Sequence, residues 1–147
     1  MAYFFNTFAG AASAENFTLE ADAAGEIGFV AEVFWGGEVT TSTAMRTRWC
    51  RPTTAGVTFA AVGTVESSHP SATARLRFGT FTTDPVKPAS PTGLYHTSWN
   101  AHGGLGRWLA APGEEWIIIA AVATGEITCT NDVGTAAGTF GVGWRED

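Results

Sequence analysis

Apolar and polar residues alternate with a period of two along most of this chain. In residues 26–35, Ile27, Phe29, Ala31, Val33 and Trp35 fall on one side and Gly28, Val30, Glu32 and Phe34 on the other, which predicts a half-buried central strand. Residues 45–51 set Met45, Thr47 and Trp49 against Arg46, Arg48 and Cys50. A slip of one residue there would turn two guanidinium groups into the core, so this register is well specified. The same reading predicts strands at residues 16–20, 56–62, 75–82, 93–99, 106–110, 115–122, 126–130 and 139–145, about ten short strands in all. Outside the alanine-rich 9–14 region, no window of eleven or more residues sustains helical i, i+3, i+4 spacing between caps.

Turn chemistry separates these runs: Gly36-Gly37, Ala55-Gly56, His69-Pro70, Gly103-Gly104, Pro112-Gly113, Asn131-Asp132 and Gly134 supply positive or fixed φ where the chain reverses. Residues 84–91 hold Pro85, Pro88 and Pro91, so they cannot pair as a central strand and are expected to form a stiff surface crossover. Short strands, frequent turns and no βαβ spacing predict an all-β, antiparallel two-sheet β-sandwich. The strand count and the long rigid connection favour a jelly roll over an immunoglobulin-like order. Domain organisation reads as an aromatic N-terminal arm over residues 1–15 and a sandwich over residues 16–147.

Composition narrows the function classes. The chain has 147 residues, 45% hydrophobic and only 15% charged, against the ~25% usual in soluble domains, which excludes a disordered or collagenous chain. A formal net charge of −6 argues against a nucleic-acid groove and against an anionic membrane surface. The longest apolar run, residues 116–123, falls far short of the ~20 residues of a membrane helix. The start of the chain mimics a secretory leader, but no Lys or Arg precedes Arg46 and Asn6-Thr7 breaks the apolar run, so secretion is not expected.

Candidate chemistry is sparse. His69, His96 and His102 match no zinc spacing and read as strand and turn residues. Glu114 and Glu115, as consecutive strand residues, would point to opposite faces and not converge on a substrate as paired catalytic carboxylates must. There is no Gly-x-Ser-x-Gly elbow, and Gly103-Gly104-Leu105-Gly106 lacks the Lys-Ser/Thr ending of a phosphate loop. No catalytic residue, cofactor or metal is expected. Cys50 and Cys129 read as two buried thiols, or as a long-range disulfide if their strands lie adjacent with Cα atoms within about 7 Å. Six tryptophans invite a sugar-binding reading, yet each lies in or beside a predicted strand and packing is preferred.

Two features lean toward assembly. Tyr3, Phe4, Phe5 and Phe8 crowd a segment too short for its own core, and basic residues are mostly Arg, with Arg46 and Arg48 on one strand face. These six residues are the candidate partner-binding set.

The segments Phe17-Thr-Leu-Glu-Ala-Asp-Ala-Ala-Gly-Glu-Ile-Gly-Phe-Val-Ala-Glu-Val-Phe-Trp-Gly-Gly-Glu38 and Ser42-Thr-Ala-Met-Arg-Thr-Arg48 resemble small structural proteins of tailed bacteriophages. So do Ser98-Trp-Asn-Ala-His-Gly-Gly104 and Arg107-Trp-Leu-Ala-Ala-Pro-Gly-Glu-Glu115. The resemblance implies a jelly-roll capsid cement or decoration protein, made in the host cytoplasm and carried on the virion. It would be a homotrimer whose partner is the major capsid protein. The alternative is a carbohydrate- or receptor-binding module of a phage fibre or tail.

Overall fold

The computed structural model describes residues 2–10, 15–62, 65–120 and 125–147. Two six-stranded antiparallel sheets pack face to face. In the first, β9 (Leu105–Leu109) and β10 (Trp116–Ile119) both pair with β3 (Ile27–Gly37), which is followed by β12 (Gly138–Glu146), β1 (Tyr3–Gly10) and β6 (Glu66–Ser67). The second runs β5 (Val57–Ala61), β7 (Leu76–Thr83), β2 (Glu15–Ala21), β11 (Ile127–Val133), β4 (Ala44–Cys50) and β8 (Tyr95–Asn100). Four pairings are nested in sequence: β1 with β12, β2 with β11, β3 with β9 and β10, and β4 with β8. The hairpin-like nest leaves β5, β6 and β7 as an insertion at its turn.

The aromatic-rich alternation builds the core between the sheets. Trp35, Trp49, Phe78, Phe140 and Trp144 are buried there with Leu19, Val30, Val33 and Val142, and Trp35 meets Trp49 at 5.3 Å between ring centres. One buried polar chain runs between strands: Trp99 Nε1 donates to Thr47 Oγ1 at 2.9 Å, and Thr47 Oγ1 donates to Asn131 Oδ1 at 2.7 Å. Glu146, at the end of β12, ties the sheets together. Its carboxylate accepts from the backbone amides of Arg75 and Leu76, leading into and opening β7, at 2.8 and 2.9 Å, and from Trp144 Nε1 at 2.9 Å.

Several sequence expectations need correction. Within the expected N-terminal arm, Tyr3–Gly10 folds back as a strand of the sandwich, paired along its whole length with β12 and with Phe4 buried against Trp144. Residues 11–14 of that expected arm lie outside the described residues, as do 121 and 122 of the strand expected at 115–122. In β3 the two faces exchange part-way. Gly28 and Val30 point inward, then Val33 and Trp35 do, because the register skips Ala31 between Trp144↔Val30 and Gly143↔Glu32. One extra residue in a strand reverses every side chain beyond it.

The proline-rich segment does not pass between sheets. It leaves β7, crosses the outside of the second sheet and returns to that sheet as β8, with Pro85 buried near Thr18 and Thr128. Arg48 holds it down. A bulge in β11 leaves Asp132 unpaired in the ladder, so its carboxylate meets the Arg48 guanidinium at 3.0 Å on the outer face of the sheet. Arg48 also donates to the Pro88 and Thr92 carbonyls at 3.0 and 2.5 Å, and Ser90 donates to Asp132 at 2.8 Å. Arg48 is therefore buried on the outer side of its strand.

Removing one partner of a buried ion pair strands the other. Arg48→Ala should cost about 3–5 kcal/mol in urea unfolding, whereas Arg48→Met combined with Asp132→Leu should cost far less.

Candidate functional site

Residues 84–92 cover part of the second sheet's outer face, whereas no described segment covers that of the first. Cross-strand register orders that open face in rows across β1, β12, β3 and the β9/β10 edge: Tyr3, Arg145, Phe29, Ile117, then Phe5, Gly143, Glu32, Leu109. The next rows are Thr7, Gly141, Phe34, Arg107, and Ala9, Thr139, Gly36, Leu105, with Ile27 beside Ile119 at the far end. Two glycines floor the middle of this array. A Cβ on Gly141 would collide with the Phe34 ring, and one on Gly143 with the Tyr3 hydroxyl and the Glu32 side chain. Those neighbours lie flat across β12 because the glycines leave them room.

Charge at the centre of this face is compensated within it, and Glu66, opposite Phe5 on β6, lies at its edge. The Tyr3 hydroxyl donates to Glu32 Oε1 at 2.5 Å and Arg107 Nε donates to Oε2 at 2.5 Å, so both carboxylate oxygens are occupied. Burial, and then the bond to Glu32, push the Tyr3 phenol well above its ordinary value, which keeps it a donor. The Arg145 guanidinium sits 4.0 Å over the Phe29 ring and 3.6 Å from the Glu115 carboxylate. Around these groups the surface is apolar: Leu105 is 85% exposed, Leu109 59%, Ile117 48% and Ile119 43%.

The partner-binding candidates are divided by this geometry. Tyr3 and Phe5 lie on the open face, Phe4 points into the core and Phe8 is half-buried on the inner side of β1. Arg46 is half-buried on the second sheet, and Arg48 is committed to Asp132 beneath residues 84–92. Sequence reasoning missed Phe34, Leu105, Leu109, Ile117 and Ile119. The signal was there: Trp116, Ile117, Ile118 and Ile119 are apolar on both faces of one strand, which a solvated outer face does not require.

Other candidate groups stay apart. His69 contacts Ser71, His102 contacts the Val39 carbonyl, and His96 is exposed on β8. Among the described residues, no group of three or more His, Cys, Asp or Glu side chains could hold a metal ion. Glu114 and Glu115 belong to the excursion between β9 and β10, where Glu115 accepts from the Gly113 amide at 3.0 Å. Trp35, Trp49, Trp116 and Trp144 are buried, Trp108 stacks on Trp116 at 4.2 Å, and Trp99 meets Phe140 edge-on at 5.8 Å. Cys50 and Cys129 are free thiols although β4 and β11 are neighbours. Cys50 lies opposite Thr128, and Cys129 opposite Trp49, so the pleat sends the two thiols to opposite faces. Burial pushes the Cys50 thiol up to about 11, leaving it protonated and inert.

Comparison with protein-family models, with curated proteins and with solved structures finds no match to this chain.

One titratable group stands out from the remainder. Glu126 is buried, its Oε1 has no hydrogen-bond partner, and the Glu20 carboxylate is its neighbour, itself paired with Arg77, which also reaches Asp22. Burial, then Glu20, raise the Glu126 carboxyl to about 7. A carboxyl raised on folding contributes stability that is fully present below its unfolded value near 4.5 and is lost as pH rises through about 7. Glu126→Gln should therefore flatten the pH dependence of Tm across that window. At pH 8 it should raise Tm by about 2–4 °C over the parent in calorimetry, with little change at pH 4.

Proposed function

We propose that this chain is a bacteriophage capsid cement protein, a jelly-roll domain that adheres to the outer surface of the head and to like copies without making or breaking a covalent bond. The observation that carries this reading is the open outer face of the first sheet, where aromatic and aliphatic side chains surround a neutralised Glu32. Solvated sheet faces are ordinarily polar, and contiguous apolar patches of this kind mark contact surfaces. The nested pairing of β1 with β12, β2 with β11, β3 with β9/β10 and β4 with β8 supports the jelly roll. It is the pattern left when one long antiparallel hairpin is rolled into two sheets.

The mechanism is linkage. A protein that binds the assembled shell, and not its separated subunits, adds its binding free energy to the cost of taking the shell apart. Many copies on one shell add avidity. The partners in this reading are the major capsid protein and further copies of the chain, and the site of action is the virion surface after synthesis in the host cytoplasm. The glycan-binding alternative gains less support. A sugar platform needs a free indole face, and Trp108, one of the two partly exposed indoles, gives a face to Trp116.

Purified protein mixed with undecorated heads should add ordered density to the shell exterior in electron micrographs and raise the temperature at which the heads dissociate. Heads that stay bare, together with saturable quenching of tryptophan fluorescence by a glycan, would transfer the assignment to the receptor-binding class.

A further inference from the structure

We infer that the open outer face of the first sheet is occupied by the same face of a second copy of this chain, forming an isologous pair in place of the homotrimer that the resemblance implies. This deepens the adhesive reading and rests on it for the premise that the face is covered in use. Phe5, Ile27, Leu105, Leu109, Ile117 and Ile119 are each between 39% and 85% exposed. Six large apolar side chains exposed on one sheet face are of the kind that a standard interface, about 800 Å² per partner, covers. Half-buried Tyr3, Phe29 and Phe34 fill the spaces between them.

Charge selects a second copy as the occupant. Each chain carries a net charge of −6, so two copies repel unless they meet on a surface whose charges are balanced. The centre of this face meets that condition, because Glu32 is held by Tyr3 and Arg107 and Arg145 lies between Glu115 and Asp147, while Glu66, opposite Phe5 on β6, stands at its rim. Shape agrees with charge. Gly141 and Gly143 let the flanking side chains lie flat, as aligned packing of one sheet on another requires.

One edge of the first sheet is also closed to strand addition. Arg51 donates to the Ile117 carbonyl at 2.6 Å, and the six-residue excursion between Leu109 and Trp116 interrupts the β9/β10 border, so continuous strand-to-strand addition is obstructed there. A head-to-tail ring would need a second, different apolar surface. Among the described residues the other exposed large apolar side chains, Val57, Val86, Leu94 and Val133, are spread over four separate segments. One self-complementary patch closes as a two-fold pair.

The test is sedimentation equilibrium of the purified full chain up to about 0.1 mM, a range that detects micromolar association. A mass of two chains is expected. Leu105→Asp with Leu109→Asp should weaken association at least about 100-fold, while Val57→Asp, on the second sheet, should leave it unchanged. Thermal melts check that each variant is folded. Both leucines are more than half exposed, so the parent Tm should be kept. A parent that remains at one chain mass, assembles as three chains, or stays paired in the double variant overturns the inference. Adding the same samples to undecorated heads separates the two readings. A monomer that coats heads sinks the pair and leaves the adhesive reading, whereas a pair that ignores heads supports the inference and removes the shell partner.

Discussion

Arg48 and Asp132 meet under residues 84–92, and that buried charge pair fixes which stretch of sheet surface is covered by the chain itself. A β-sheet has two faces, and each must be covered by protein or wetted. The inner faces cover one another through Trp35, Trp49, Phe140 and Trp144. On the second sheet the guanidinium, itself removed from water, gathers the Pro88 and Thr92 carbonyls over Thr130 and Cys50 and so closes the outer surface with local chain. No equivalent strap crosses the first sheet among the described residues, and its outer rows of Leu, Ile and Phe remain available. The division of labour between the sheets thus follows from where one cation is neutralised.

The layered architecture was legible in the sequence wherever alternation was strict. Met45, Thr47 and Trp49 do face the core, and ten of the twelve strands lie close to the runs that alternate. What alternation could not carry was the placement of single extra residues. Ala31 inverts the early half of β3, and Asp132 escapes the ladder of β11, because bulges answer to twist and to partners distant in sequence. The first strand was hidden for another reason. Tyr3, Phe4, Phe5 and Phe8 form an aromatic cluster whose alternation becomes evident only once β12 is beside it.

The open face was half legible in the sequence. Aromatic crowding at the start of the chain pointed to Tyr3 and Phe5, which do lie on the open face. Their companions Phe34, Leu109 and Ile117 are distant in sequence and become neighbours only through β12, whose outward glycines carry no side chain to signal a surface at all. An Arg on an alternating strand reads equally as a solvated or a contacting group, and Arg48 is neither, because its counter-ion lies 84 positions away.

Nested pairing also has a kinetic side. Of the described strands β1 leaves the ribosome first, and its long partner β12 comes after all the others. Closing so long a loop is slow and entropically costly, so Phe4 and Phe8 must wait without their native neighbours until β12 has emerged. Such a nascent chain has aromatic side chains uncovered throughout its synthesis, which makes the interval before β12 emerges the period of greatest exposure to aggregation and to chaperone capture.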